Sequence, residues 1–402
     1  MADTIIAGLD IGTAQTTVCV GAINRQQELN ILGFGSAPSA EIRKGQVCDI
    51  PNARSSVIRA IEAAEEASDC EVIDITLGVG GGQIIDKIQT GYYNVGGAAI
   101  EKEDMEAARE NARTHDLVEG YTLLHTLDRA YGVDDRVGIV SPLEMGCQRL
   151  SFEALHIYAK SSVLDDLASV VNGKGKTEVA DTVFSGIAAA GAVLDEDRKR
   201  NGVLLIDLGA GTTDYIVYTG GLPTAVGSLA LGGEHVTSDI MTAFSLGKFE
   251  AERAKIQSGQ ALVDGDSNGE RVQVKRNVGF DDISINRRAL HTVINARMDE
   301  ILSLVRDDLA ARDLLPLIGS GVVLVGGGAY MPKITTLASN IFARPCVIGE
   351  PLAFQGAQIP DPGATWAVAL GLVKYAWKLS LTSKGPGIFD TLFGGFFGGN
   401  SK

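Results

Sequence analysis

Apolar positions in this chain follow two rhythms. Short, nearly continuous apolar runs bounded by glycine or polar residues predict strands: the run that ends at Asp10, then 18–20, 29–35, 73–79, 203–206, 215–218 and 322–325. Further strands are predicted at 121–127, 129–133 and 150–160. In the last of these Leu155, Ile157 and Ala159 alternate with His156, Tyr158 and Lys160, the period of a half-buried strand. Helical spacing predicts 52–68 (Val57, Ile61 and Ala64 on one face), 101–115 (Met105, Ala108 and Ala112) and 161–171 (Leu164, Leu167 and Val171). Later helices are expected at 234–244, 249–256, 297–311, 332–343 and 365–379. The 297–311 segment is the most regular, with Met298, Ile301, Leu302, Val305 and Leu309 on one stripe. The stretch 183–194 is an alanine-rich helix, slim enough on every side to cross a crowded junction between domains.

Two of the strands end in a turn suited to an anion. VLLIDLGAGTTDYIVYTGG (203–221) runs through Asp207, Gly209, Gly211, Thr212, Thr213 and Asp214 into a returning strand. IIAGLDIGTAQTT (5–17) repeats the arrangement with Asp10, Gly12, Thr13, Thr16 and Thr17. Glycines let backbone approach a phosphate closely, and successive N–H groups in such a turn form an anion-binding concavity. A carboxylate beside phosphate is reasonable when a hydrated Mg²⁺ lies between them. One such turn alone is equally an ordinary hairpin. Two of them, in separate halves of the chain, predict duplicated domains facing each other across a nucleotide cleft. A third element, 322–325 followed by Gly326, Gly327 and Gly328, offers bare backbone to an adenosine. A second glycine triplet, 80–82, reads as a hinge, a close backbone approach or a boundary linker.

Composition narrows the class. The 402 residues are 45% hydrophobic, enough for two to four domains, and the formal net charge of −15 disfavours nucleic acid and polybasic lipid attachment. Five scattered cysteines without a CxxC read as free thiols of a reducing compartment. No signal peptide and no spanning helix is expected. DGDSNG (264–269) looks like the start of a Ca²⁺ loop, but Lys275 stands where the bidentate Glu is needed. Its flanks 260–263 and 271–274 read as strands, so a hairpin turn is expected. The five histidines lack metal-ligand spacing.

Paired Asp-bearing turns, an alanine-rich connecting helix and a triple-glycine turn resemble the actin, hexokinase and heat-shock-chaperone ATPases. LLHTLDRAYGVDD (123–135), 203–221, HVTSDI (235–240) and VLVGGGAYMPKI (323–334) narrow the resemblance to the FtsA family of bacterial cell-division proteins, over essentially the whole chain. The resemblance implies an α/β, actin-like (ribonuclease H-like, duplicated) fold with two lobes. Domain 1A would comprise 1–82 and 173–200, with an inserted α+β domain 1C at 83–172. Domain 2A would comprise 201–233 and 307–381, with 2B at 234–306. It further implies that Asp10 and Asp207 hold water-ligated Mg²⁺, and that Gly12, Thr13, Gly209, Gly211, Thr212 and Thr213 cradle the phosphates of ATP. Gly232, Gly233, Glu252 and Lys255 would border the ribose and base, and Gly326, Gly327 and Gly328 the adenosine. Active ATPases of the superfamily start the alanine-rich helix with Glu or Gln; Phe184, Ser185 and Gly186 stand here, which implies at most a slow ATPase.

The implied partners are other copies of the chain in filaments, further division proteins at 1C, and the acidic FtsZ tail. That tail would dock on 234–306, which offers Lys275, Arg276, Arg287, Arg288 and Arg297. The implied location is the cytoplasmic face of the cell membrane at the division site. A pilus-assembly ATP-binding adaptor or a small-molecule kinase of the same superfamily would share the turns. The C-terminus separates them. After a linker at 382–387, GIFDTLFGGFFGG (387–399) puts Ile388, Phe389, Leu392, Phe393, Phe396 and Phe397 on one half of a helical wheel. Asp390, Thr391, Gly394 and Gly395 fill the other half, as in an interfacial helix lying on lipid.

Overall fold

The computed structural model describes residues 3–114, 117–172, 175–263, 265, 269–276 and 281–382. The predicted membrane segment, with Ile388, Phe389, Leu392, Phe393, Phe396 and Phe397, lies outside the described residues.

The first lobe opens with a meander, β1 (Thr4–Ile11), β2 (Gln15–Ile23) and β3 (Leu29–Pro38), followed by a two-residue ladder of β4 (Ile42–Arg43) and β5 (Gln46–Val47). Helix α1 (Ile50–Ser68) starts where Asp49 accepts from the Asn52 N–H at 2.9 Å and Pro51 occupies the first turn. It ends at Asp69 in the left-handed region. Its stripe of Ala53, Val57, Ala60, Ile61 and Ala64 is fully buried against the sheet. Gly35 makes the contact close, since a Cβ there would collide with the backbone of Ala60 and Ala64. Strand β6 (Asp74–Val79) then lies parallel to β1.

The chain next leaves for a four-stranded antiparallel sheet. It is built from β7 (Ile84–Asn94), β8 (Tyr121–Val133), β9 (Arg136–Ile139) and β10 (Arg149–Lys160), in the order β7-β10-β8-β9. Helix α2 (Lys102–Arg113) packs on β7 and β10. The two strands predicted at 121–127 and 129–133 are one strand. A bulge opposite 152–154 gives β8 an extra residue, and this is the break seen in the apolar alternation. Helix α3 (Ser161–Val171), placed with the insertion on sequence, packs on α1 instead, burying Val163, Leu167, Val170 and Val171 in the first lobe's core.

Strand β11 (Glu178–Phe184) was not foreseen. It pairs with β6 and takes Val183 and Phe184, so helix α4 (Ser185–Val193) begins two residues later than its alanine pattern predicts. After α5 (Glu196–Asn201) come β12 (Val203–Leu208), β13 (Thr213–Thr219) and β14 (Leu222–Leu229) of the second lobe. Helices α6 (Gly233–Phe244) and α7 (Lys248–Ser258) follow. Strand β15 (Arg271–Val274) pairs with β16 (Ile283–Asn286), not with 260–263. The hairpin expected at 264–269 therefore does not join the strands assigned to it; residues 264 and 266–268 lie outside the described set. Ala261 is instead tied to Pro332 and Asn295, which leaves no edge for β15 to pair with.

Helix α8 (Arg287–Ala311) starts ten residues before the predicted 297, capped by Asn286, whose side chain accepts from the Ala289 N–H at 3.0 Å. Leu290 and Ile294 continue the stripe of Met298, Ile301, Leu302, Val305 and Leu309. Strand β17 (Val322–Val325), helix α9 (Ile334–Phe342), β18 (Cys346–Ile348) and helix α10 (Ala367–Thr382) complete the described residues. Among the described residues no helix is long and apolar enough to cross a membrane, and the five cysteines are unbonded.

The two five-stranded sheets share one plan. The first runs β3-β2-β1-β6-β11 and the second β14-β13-β12-β17-β18, each with an antiparallel meander followed by two parallel additions. The central strands β1 and β12 are the ones that carry Asp10 and Asp207, each one residue before the strand's end. Helices α4 and α10 cross between the lobes with almost no separation; a Cβ on Gly371 would collide with the Ala188 carbonyl.

Candidate nucleotide site

The two turns are copies in detail. In the first, the Gly12 N–H donates to the Gln15 carbonyl at 3.0 Å and Asp10 faces Thr17 across the ladder. In the second, the Gly209 N–H donates to the Thr212 carbonyl at 3.0 Å and Asp207 faces Asp214. Their tips meet: a Cβ on Gly211 would lie 3.0 Å from Thr13 Cβ and from the Lys44 N–H nitrogen, which explains why that position has no side chain. Between the turns lies a cavity of about 450 Å³, within the usual range for a small-molecule site.

Asp10, Gly12, Thr13, Asp207, Gly209, Thr212, Gly326 and Gly327 all line this cavity. Gly326 has a φ of 78° and sits so close to Asp207 and the Leu208 carbonyl that only glycine fits. The wall it belongs to is closed by 361–366, with the Gly326 N–H donating to the Ala364 carbonyl at 3.1 Å.

The remaining predicted residues support the cavity from outside. Thr213 is buried and its hydroxyl donates to the Leu231 carbonyl at 2.9 Å. Gly232 and Gly233 clamp the second turn, the Gly233 N–H donating to the Gly209 carbonyl at 3.0 Å. Gly328 packs on Leu208. Glu252 and Lys255 do not line the cavity. They form an ion pair at 2.8 Å, and Lys255 Nζ donates to the Gly233 carbonyl and to Thr237 Oγ1, each at 2.9 Å. This pair fixes the clamp.

Asp214, Thr17 and Ser185 were named on sequence but given no place at the site, and the 361–366 wall was missed. Asp214 is buried, accepts from the Gly81 N–H at 2.9 Å and is hydrogen-bonded by Ser228 Oγ. The signal was available: a buried carboxylate directly before the apolar run 215–218. It also settles the 80–82 triplet as a close approach, since Gly80 is pressed against Asp214 and Gly81 against Thr212. Thr17 Oγ1 is buried at the cavity without a hydrogen-bond partner. Ser185 opens α4 beside Gly78, and the N–H of Phe184 just before it donates to His125 Nε2 at 3.0 Å. Burial lowers that imidazole to about 4, so it is a neutral acceptor from the inserted sheet.

The electrostatics are one-sided. Asp10 and Asp207 touch solvent at the cavity wall yet are enclosed by protein. Burial, then the charge of Asp214, raises Asp10 to about 7. Burial, then Asp10 and Asp214, raises Asp207 well above the carboxylate range. Asp214 rises to about 6 through burial, opposed by its bonds from Ser228 and Gly81. Among the described residues no Lys or Arg lines the cavity. A bare polyphosphate would be repelled here, whereas one carrying a divalent cation would be drawn in. Among the described residues no three ligating side chains converge closely enough to chelate an ion directly. That fits Mg²⁺, which keeps its own waters and meets such carboxylates through them. The orphaned Thr17 hydroxyl and the glycine tips suit phosphate oxygens.

Elsewhere, two charges expected to await an acidic tail are already paired: Arg297 with Asp239 and Glu300, Arg287 with Glu270. The buried His156 and His291 bond backbone carbonyls of Ala112 and Ser258.

Solved structures similar to this chain share the fold. A protein of the PilM–PilN type IV pilus biogenesis complex aligns with TM-score 0.64 and 16% identity, covering 92% of this chain and 97% of that one. MreB5 of Spiroplasma citri bound to ADP aligns with TM-score 0.52 and 15% identity, covering 92% and 95%. The family model for the cell division protein FtsA matches residues 204–371, and that for the SHS2 domain inserted in FtsA matches 81–158. FtsA of Borreliella burgdorferi is 31% identical over 378 residues, 93% of this chain and 91% of that protein. FtsA of Pseudomonas aeruginosa is 30% identical, over 92% and 89%, and that of Escherichia coli 30%, over 94% and 92%. With an actin-like pair of lobes, the inserted sheet and this identity along its length, the chain belongs to the FtsA family of cell division proteins.

Proposed function

We propose that this chain is an ATP- and Mg²⁺-binding, polymerising division protein that holds FtsZ filaments to the cytoplasmic face of the membrane and helps recruit later division proteins. The observation that carries the nucleotide part is the acidic cavity between two copies of one turn. Asp10 and Asp207 hold the waters of Mg²⁺, with Asp214 as a third carboxylate. The tips around Gly12, Thr13, Gly209 and Thr212 take phosphates, and Gly326 and Gly327 take the adenosine. Mg²⁺ supplies charge neutralisation when bound. The chain itself orients the phosphates and excludes bulk water. Ser185 stands where an active ATPase would place a water-orienting carboxylate or amide, so turnover is slow and nucleotide acts as a structural and assembly switch. The segment 388–399 lies on lipid through its Leu, Ile and Phe face, weakly for one tail and strongly for a filament of tails.

The test is calorimetric titration of Mg·ATP into the full chain and its Asp10→Ala/Asp207→Ala variant. Affinity should fall by far more than about tenfold, the equivalent of about 1.4 kcal/mol. Equal affinities would remove the nucleotide assignment. Liposome co-sedimentation checks the membrane part: binding should depend on Phe393 and Phe396 and little on salt, and a steep salt dependence would overturn it.

A further inference from the structure

A second cavity lies behind the crossing of α4 and α10, sharing no residue with the nucleotide cavity. Its volume of about 50 Å³ is room for one or two waters, or one compact oxyanion in their place. Lys199, Lys374 and Lys378 line it, with Tyr218 and Tyr375, and Glu196 is the one carboxylate among them. In a chain of net charge −15 this is a local inversion of sign.

Two of the ammonium groups are aimed by contacts. Lys374 Nζ donates to the Gly191 carbonyl at 2.7 Å, and Lys199 Nζ is held 3.0 Å from Glu196 and over the Tyr218 ring. Lys199 is only 12% exposed. Among the described residues three partly buried ammonium groups and one carboxylate line the cavity, a net positive wall that an anion would stabilise. Lysines, rather than the planar forks of arginine, suit a compact, roughly spherical anion. Burial, then the mutual repulsion of these groups, depresses Lys374 to about 8 and lowers Lys378.

The groups come from both lobes. Helix α5 is tied to the second lobe, Gly221 N–H donating to the Lys199 carbonyl at 3.0 Å, and Tyr218 is on β13. Helix α10, which carries Lys374 and Lys378, packs on β1 and β2 of the first lobe. The same two crossing helices reach the nucleotide cavity, α4 through Ser185 and α10 through Val368.

We propose that Lys199, Lys374 and Lys378 form a binding site for a phosphate-type oxyanion, a phosphate mono- or diester group, which bridges the lobes behind the nucleotide cleft. Free phosphate compounds and phospholipid headgroups both carry that chemistry, and α10 leads straight into the C-terminal segment.

The experiment labels the lysines of the nucleotide-free full chain with a limiting amine-acylating reagent and reads each site by mass spectrometry. Inorganic phosphate, against chloride of equal ionic strength, should slow labelling of Lys199, Lys374 and Lys378 and leave the exposed Lys176 unchanged. In Lys374→Met/Lys378→Met the phosphate concentration that protects Lys199 should rise roughly tenfold or more. Removing like charges favours folding, and if that variant does not fold, the wild-type protection pattern decides alone. Protection by phosphatidic acid in phosphatidylcholine vesicles, but not by free phosphate, assigns the site to a headgroup; protection by free phosphate assigns it to a soluble compound. Equal labelling of these three lysines in chloride, phosphate and both kinds of vesicle overturns the site.

Discussion

At the scale of single residues the nucleotide cavity is dominated by carboxylates held against their own ionisation. Asp10 titrates near 7 in the fold against an ordinary value near 4. Its folded form therefore binds the extra proton between those values. The stability contributed by that proton is full below about pH 4 and is lost as pH rises through about 7. Asp10→Asn should make the ligand-free chain more stable at pH 8, by on the order of 2 kcal/mol, and flatten the decline of Tm from pH 5 to 8. An unchanged pH profile would show that Asp10 is not strained. A cation reverses the preference. Binding of Mg·ATP near pH 7 should release protons, measured as a dependence of the calorimetric heat on buffer ionisation enthalpy, and Asp10→Asn should reduce that release.

At the scale of elements, what was legible in the sequence was what periodicity and turn chemistry encode locally. The Asp-Gly turns, α1, α3, β17 and the apolar stripe of α8 followed from spacing alone. Strand β11 escaped because Glu178–Phe184 has its polar and apolar residues in no clean period; partnership with β6 makes it a strand. The start of α8 escaped because its signal is one capping side chain, Asn286. Asp214 escaped because its role depends on Gly81, a residue far away in the chain that only the fold brings near. The helix crossing belongs to the same class. Gly371 is pressed on Ala188, whereas Gly191, on the same α4, has open space around its missing side chain. Gly371→Ala should thus destabilise by about 2–4 kcal/mol. Gly191→Ala should be neutral or stabilise by up to about 1 kcal/mol. Urea unfolding of both variants distinguishes them, and equal effects would mean that the crossing is not tight.

At the scale of the whole molecule the lobes are clasped on the side of the inserted sheet. Asp86 on β7, with a side chain only 10% exposed, meets Arg312 at 2.8 Å and accepts from the Val226 N–H of β14 at 3.1 Å. Arg312 also pairs with Asp308, which receives the Tyr215 hydroxyl. Arg312→Ala leaves Asp86 poorly compensated and should cost about 1–3 kcal/mol. It should also open the lobes, read as a larger radius of gyration and faster proteolysis without nucleotide. Unchanged scattering would mean the clasp does not hold the lobes together.

One position breaks the likeness of the two halves. Thr17 and Asp214 occupy the same place in the two turns, one a neutral hydroxyl without a partner, the other a carboxylate anchored to the stem of the inserted sheet. A cleft with two identical walls would accept a chain of phosphates either way round. This cleft has two unlike walls, an anchored carboxylate on one side and an unpartnered hydroxyl on the other, so a ligand with two unlike ends meets them differently in its two orientations. Asp214 in turn is bonded to Gly81, where the inserted sheet begins, so the direction in which a ligand lies is registered on one side of the molecule only. A subunit with such a sense has a front and a back, the property that an assembly needs before its ends can differ.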